Sequence, residues 1–402
     1  MTAPAPPERL DPRCRLFLAG LTASGWPAMH QRTPRQARAD LRILAAAANS
    51  TPWVAHVADT LIDTAGARIP VRIYQHGTGA GRRPLVVWLH GGGFVVGDLF
   101  TADGTCRQLA RSAGATVVSV HYRRAPEHPL PAAQTDAVAA VRWAVRHAPE
   151  LGADPARLVV AGDSAGGALA AHAAQWLRDA GPRPAALQVL VYPATDFSLS
   201  RADRDPRLAK LLDWDTIDWF AEHALPPGVN RQDPDISPSF AADLSGLPPA
   251  VIVTAGVDPF TADAIGYGTA LSSAGVPVTH LPYPGQIHGF VGMDRFFPAA
   301  RDAIRRIAAL IRAAEPAASP DAPGTGPAPQ AAEPVTWTGS TAARCRRLDE
   351  QIRRLPHVNG TYALITLLDH RVRSAASLAA DRTLSLSSAL GTPMGSRHER
   401  PR

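Results

Sequence analysis

The 402-residue sequence predicts an α/β fold with a mostly parallel central sheet and helices on both faces. Three observations carry this. Short apolar runs suited to strands recur between Leu85 and Tyr283, and amphipathic or Ala-rich runs of helical length separate most of them. The run Leu85-Val86-Val87-Trp88-Leu89 is apolar at every position, as a central strand covered on both faces must be. The stretch Leu158-Val159-Val160-Ala161-Gly162-Asp163-Ser164-Ala165-Gly166-Gly167 reads as a strand, a hard turn and the start of a helix.

In chain order, residues 1–50 read as two helices divided at Trp26-Pro27, the second opened by Thr33 as a cap with Pro34 at the first helical position. Residues 54–66 and 70–76 read as two strands joined through Thr64-Ala65-Gly66. The alternation then runs strand 85–89, helix 102–113, strand 116–120, helix 132–147, strand 158–161, helix 164–180 and strand 187–192. It resumes with strand 251–255, helix 261–274, strand 278–283 and a closing helix through 304–314. Residues 197–247 interrupt it with Asp, Pro, Trp and Arg and one helix around 216–223. Such an insertion is either a lid over the carboxyl ends of the strands or a surface excursion, and its position favours the lid.

These elements divide the chain into an N-terminal helical cap at 1–50 and a catalytic domain at 51–314 that contains the cap insertion. A Pro/Ala-rich linker follows at 315–334, then a basic tail at 335–402. The tail reads as a disordered extension; a partly helical segment for anionic surfaces is the alternative. Its 11 arginines against five acidic residues account for the whole formal charge of +6, so the basic balance does not point the main domain toward nucleic acid. Only Lys210 among the basic residues is a lysine. Cys14, Cys106 and Cys345 are scattered, with no CxxC pair, so neither a disulfide framework nor a zinc site is expected. The N-terminus lacks the pattern of a secretory signal and no run reaches the ~18 apolar residues of a membrane span, so a soluble cytoplasmic protein is expected. The oligomeric state is open, a homodimer included.

The chemistry starts from Gly162-x-Ser164-x-Gly166. A serine on a strained strand-to-helix turn projects its hydroxyl from the sheet, and glycines on either side let strand and helix pass closely. Alone, the pattern could be a plain tight turn. A serine hydroxyl needs a base, and the base needs a carboxylate to set its tautomer. In this kind of fold the carboxylate follows a later strand and the histidine follows the last one. Asp258 lies just past the apolar run Val251–Ala255, and His288 sits in a glycine-flanked segment after Val278–Tyr283. The competing role for Asp258 is the cap of the next helix; its nearest rival, Asp263, lies within that helix. His280 falls inside a strand and His223 in the candidate lid. Backbone N–H groups must stabilise the oxyanion. The glycines of His90-Gly91-Gly92-Gly93-Phe94 follow a strand directly, and the amides of Gly92, Gly93 and Ala165 are the expected donors. His90 is expected to brace that loop rather than carry protons. A phosphate-binding loop would need Gly-Lys-Ser/Thr, which is absent.

His90–Phe94 and Gly162–Gly167, with Tyr122-Arg123-Arg124-Ala125-Pro126-Glu127-His128-Pro129, Tyr192-Pro193-Ala194-Thr195-Asp196 and His288-Gly289-Phe290, resemble the motifs of the hormone-sensitive-lipase-like esterases of the α/β-hydrolase superfamily. The resemblance covers about 10–314. It implies an α/β-hydrolase fold and cofactor-free hydrolysis of carboxylic esters, mostly of short or medium acyl chain, with Ser164, Asp258 and His288 as the triad. One segment departs from the family: Asp258-Pro259-Phe260-Thr261-Ala262-Asp263 stands where Asp-Pro-Leu-Arg-Asp-Glu is usual. The alternative on the same fold is a catalytically inactive relative that binds a small molecule. Such descendants usually lose a triad member, and none is missing here.

Overall fold

A computed structural model describes residues 9–77, 83–181, 184–198 and 205–316. The tail, all but the first two residues of the linker, and Cys345 lie outside the described residues. Eight strands form one sheet in the order β1-β2-β4-β3-β5-β6-β7-β8: β1 (His56–Thr64), β2 (Ala67–Gln75), β3 (Arg83–Leu89), β4 (Thr116–Val120), β5 (Ala153–Asp163), β6 (Leu187–Val191), β7 (Ala250–Val257) and β8 (Val278–Ile287). β1 pairs with β2, and β2 with β4, antiparallel; every other pair is parallel. From β3 the chain crosses to β4 on one side and returns to β5 on the other, so the carboxyl ends of β3 and β5 flank the switch point where α/β sheets bind ligands.

The period of two divides each central strand between two cores. Leu85, Val87 and Leu89 pack on one face with α4 (Ala132–Arg146), α5 (Ala165–Ala180) and α7 (Thr261–Ser273). Val86 and Trp88 pack on the other with α1 (Pro12–Ala23), α3 (Asp103–Ala113) and α8 (Pro298–Ala313). Every side chain from Pro84 to Leu89 is buried, which explains the unbroken apolar run. The buried faces of α4 and α5 are mostly alanine, so these helices lie close on the sheet. The amphipathic α8 buries Ile304, Ile307 and Ile311, each of which would cost about 2–5 kcal/mol if cut to alanine.

α2 (Pro34–Ala48) starts with a full capping box, in which Thr33 accepts from the Gln36 N–H and the Gln36 side chain accepts from the Thr33 N–H. α6 (Trp214–Ala224) is capped by Asp213, whose carboxylate accepts from the Thr216 N–H. Several boundaries differ from the sequence expectation, three of them by four residues or more. β5 begins at Ala153 because Ala153 and Asp154 pair with Arg83 and Pro84 ahead of a register shift. β8 runs through Pro284-Gly285 to Ile287, where a second shift lets Ile287 pair with Val257. α8 begins at Pro298, the first-turn position where proline costs no hydrogen bond. None of the described helices is long and apolar enough to cross a membrane.

Candidate active site

Ser164 sits between β5 and α5 with φ 56° and ψ −122°, a conformation a non-glycine residue adopts only under constraint. The constraint is visible in the backbone. The Ser164 N–H donates to Val191 O at 2.9 Å, and its carbonyl accepts from Gly167 N at 2.8 Å. A Cβ on Gly162 would strike the carbonyls of Gly166 and Leu89, and one on Gly166 would strike those of Leu89 and His90. Only glycine fits at either position.

His288 Nε2 lies 2.8 Å from Ser164 Oγ, and His288 Nδ1 lies 2.8 Å from Asp258 Oδ2. Asp258 follows β7 and is fully buried, its Oδ1 accepting from the Phe260 N–H at 2.9 Å. The longer β8 delivers His288 directly off a strand end rather than from a loop. The structure thus brings together the three residues that the sequence singled out on separate elements. The imidazole is flanked by two aromatic rings, Tyr192 at 4.8 Å and Phe260 at 5.5 Å between centroids.

The glycine loop after β3 takes positive φ at Gly92 (121°) and Gly93 (56°). Gly92, Gly93 and Ala165 line the same cavity as Ser164. Ala165 opens α5, so its N–H is among the donors that a helix leaves unpaired, at the positive end of the helix dipole. His90 braces this loop: its Nδ1 is 2.9 Å from Gly91 O, its ring stacks on Tyr122 at 4.2 Å, and its carbonyl accepts from Tyr122 Oη. Burial pushes its imidazole down to about 3, so it is neutral at physiological pH.

Two carboxylates hold the site from behind. Asp163 accepts from the Gly91 N–H at 2.9 Å and ties the elbow to the glycine loop; burial pushes its carboxyl up to about 6. Asp263 accepts from Thr195 N at 2.6 Å, Thr195 Oγ1 at 2.5 Å and Asp196 N at 3.1 Å, anchoring the segment beside the pocket; burial pushes it up to about 7. It is turned to that segment, not to His288. At the departure from the family pattern, Thr261 donates its hydroxyl to Ala255 O. His280 bonds Thr254 within the sheet and His223 bonds Trp219 O within α6.

Above these groups lies a cavity of about 620 Å³. Its walls come from Leu18 and Leu21 on α1, Leu41 and Leu44 on α2, and Ile217 and Phe220 on α6. The two N-terminal helices and the inserted α6 therefore all contribute to it. The Phe220 ring rests on the glycine loop, since a Cβ on Gly93 would fall on that ring. Phe220, Tyr192 and Asp163 carried weak signals in the sequence. An aromatic on an insertion helix, a tyrosine after a strand and an acid inside an elbow show their role only when their neighbours are known.

Residues 86–292, just over half of the chain, match the alpha/beta hydrolase fold family. Esterase LipI of Mycobacterium tuberculosis is 43% identical over 267 residues, 64% of this chain and 81% of that protein. An ethyl acetate hydrolase of Pseudomonas putida is 34% identical over 305 residues, 72% of this chain and 93% of its own length. Among solved structures, an ester hydrolase from the Lake Arreo metagenome aligns with a TM-score of 0.72 at 39% identity, covering 76% of this chain and 98% of that one. The esterase of Pyrobaculum calidifontis aligns with a TM-score of 0.71 at 36% identity, over 76% and 98%. With a fold, a family match and relatives that agree, this chain belongs to the α/β-hydrolase family.

Proposed function

We propose that the protein is a serine carboxylesterase acting on small-molecule esters of short to medium acyl chain. The observation that carries this is His288 bridging Ser164 and Asp258 at 2.8 Å on each side, at the floor of a largely apolar cavity. With its Nδ1–H donated to Asp258, the imidazole presents a lone pair at Nε2 to the serine hydroxyl. It takes the proton as Ser164 Oγ attacks the ester carbonyl. The resulting oxyanion lies on the N–H groups of Gly92, Gly93 and Ala165. The imidazolium, stabilised by Asp258, returns its proton to the leaving alkoxide and the alcohol departs. A water molecule, deprotonated by His288, then attacks the acyl-enzyme and the acid is released.

Each step uses this chain's own residues and water. The cap insertion acts as a lid whose α6 shapes the cavity from above, and the reaction is assigned to the cytoplasm. A binding-only relative is not favoured, because the Ser164 hydroxyl has a base within hydrogen-bond reach.

Replacing Ser164 with alanine is expected to lower hydrolysis of p-nitrophenyl butyrate by roughly 10⁴-fold or more, with the melting temperature nearly unchanged. Wild-type protein should be labelled at Ser164 by a fluorophosphonate probe. A folded Ser164→Ala variant that hydrolyses the ester at the wild-type rate would overturn the reading.

A further inference from the structure

The imidazole of His288 touches two rings, and both line the cavity. Tyr192 is 2% exposed and Phe260 7%, so of the two Phe260 presents more surface to what enters. It meets the imidazole in a T-shaped contact, 5.5 Å between centroids and 65° between planes. Its place is set by the backbone. Phe260 is the residue before α7, and its N–H donates to Asp258 Oδ1 at 2.9 Å. The chain carries this ring at the position where leucine is usual in the family it resembles.

The chemistry says which part of an ester arrives beside that ring. His288 Nε2 has to return its proton to the leaving oxygen, so that oxygen comes within ~2.6–3.2 Å of Nε2. The acyl carbon is at that moment bonded to Ser164 Oγ, and its oxyanion lies on the glycine loop. The alcohol is therefore the part of the substrate next to the imidazole, and so next to the ring packed against the imidazole. Phe220, by contrast, rests on Gly93 in the oxyanion loop.

We propose that Phe260 is a specificity-determining residue for the alcohol side of the ester, favouring arylmethyl alcohols, of which benzyl alcohol is the simplest. The ring of such an alcohol starts one carbon from the leaving oxygen. From there its centre can reach the ~4.5–7 Å at which aromatic rings pair with one another. An offset-stacked or edge-to-face contact with Phe260 then adds to the burial that any apolar alcohol of that size gains. A saturated ring fills the same space without the aromatic contact. The assignment rests on the esterase reading, since it names the alcohol of that reaction.

The test uses the full chain and a matched pair of esters, benzyl butyrate and cyclohexylmethyl butyrate. They share the acyl group, the bulk of the alcohol and an unactivated primary alkoxide as leaving group, and differ in the aromatic ring. kcat/KM is expected to favour the benzyl ester by roughly three- to tenfold, the range of one aromatic pair. In Phe260→Leu, which keeps the backbone N–H to Asp258 and an apolar side chain, that preference should shrink toward one. The ratio of benzyl hexanoate to benzyl butyrate should stay the same in the variant, because the acyl side does not meet Phe260. Should the variant fold poorly, product inhibition of wild-type p-nitrophenyl butyrate hydrolysis gives the same comparison, with benzyl alcohol expected to inhibit more strongly than cyclohexylmethanol by a similar factor. Equal inhibition by the two alcohols, equal kcat/KM on the matched pair in the wild type, or a benzyl preference that survives Phe260→Leu overturns the assignment and leaves the esterase reading standing. A loss in Phe260→Leu that falls equally on both esters is such a survival, and would make Phe260 a brace for His288 alone. No hydrolysis of any of these esters overturns the esterase reading and the assignment with it.

Discussion

The two helices α2 and α6 that wall the cavity are held to the body by different physics. α2 is fastened by charge. Arg38 donates through Nε to Val95 O at 2.8 Å, through Nη2 to Ala125 O at 2.8 Å, and pairs with Glu127 at 2.6 Å. One turn on, Arg42 pairs with the buried Asp98 at 2.5 Å. α6 is fastened mainly by shape: Trp219 is buried in the core and Phe220 lies on Gly93, while the Leu130 N–H donates to Ala224 O at 2.9 Å. A further polar link joins the segment before α2 to α6, His30 Nδ1 lying 3.3 Å from Thr216 Oγ1 and 3.4 Å from Asp213 Oδ1. Directional charged hydrogen bonds define one position, whereas an aromatic ring on a glycine loop can slide at little cost. α2 is therefore the fixed wall of the pocket, and α6 is the wall expected to adapt to substrate.

The sharpest way to break this contrast is at the point where α6 meets the catalytic loop. Gly93→Ala adds a methyl group that falls on the Phe220 ring and forces a side chain onto a φ of 56°. kcat on p-nitrophenyl butyrate is expected to drop by about 100-fold or more, as for loss of an oxyanion donor. Arg38→Ala should act on stability first. It strands the carbonyls of Val95 and Ala125 and removes the partner of Glu127, for an expected loss of about 2 kcal/mol in urea denaturation. If the protein lost nothing, charge would not be what holds α2.

Phe220→Ala should instead change selectivity. Activity toward bulkier acyl groups should rise relative to acetate by a few-fold in kcat/KM, with stability lowered by less than the Arg38 variant. An unchanged acyl profile with a large stability loss would invert the contrast.

The smallest effect is expected from acid. Arg38 holds the Glu127 carboxyl down at about 2, from an ordinary 4.5. A carboxyl depressed in the folded state contributes stability that is complete above its unfolded pKa and is lost as pH falls through the folded one. Glu127 is more than half exposed, so water screens the pair and the contribution is small. A melting-temperature scan from pH 5 to pH 2 should fall slightly less steeply in Glu127→Gln than in the wild type.

Much of the site could be read along the chain because its chemistry is tied to local backbone rules. A strand, a serine between glycines and a helix fit an elbow at Ser164, although alone they also fit a plain tight turn. An acid after one late strand and a histidine after the next then follow in order. The two extended strand boundaries share one cause. β5 starts at Ala153 and β8 continues across Pro284-Gly285 because neighbouring strands at Arg83 and Val257 supply the partners, and register shifts absorb the irregularity. Pairing is non-local, so a segment with poor strand character still extends where a partner waits.

The candidate reacting groups and their order could therefore be read from sequence alone, since side-chain chemistry and backbone geometry are properties of short segments. The tertiary structure decided what surrounds them. It turned Asp263 to Thr195 rather than His288, set Tyr192 and Phe260 against the imidazole, and put Phe220 on Gly93. Each of these depends on distances between residues far apart in the chain, and close packing sets those distances only when the whole domain assembles.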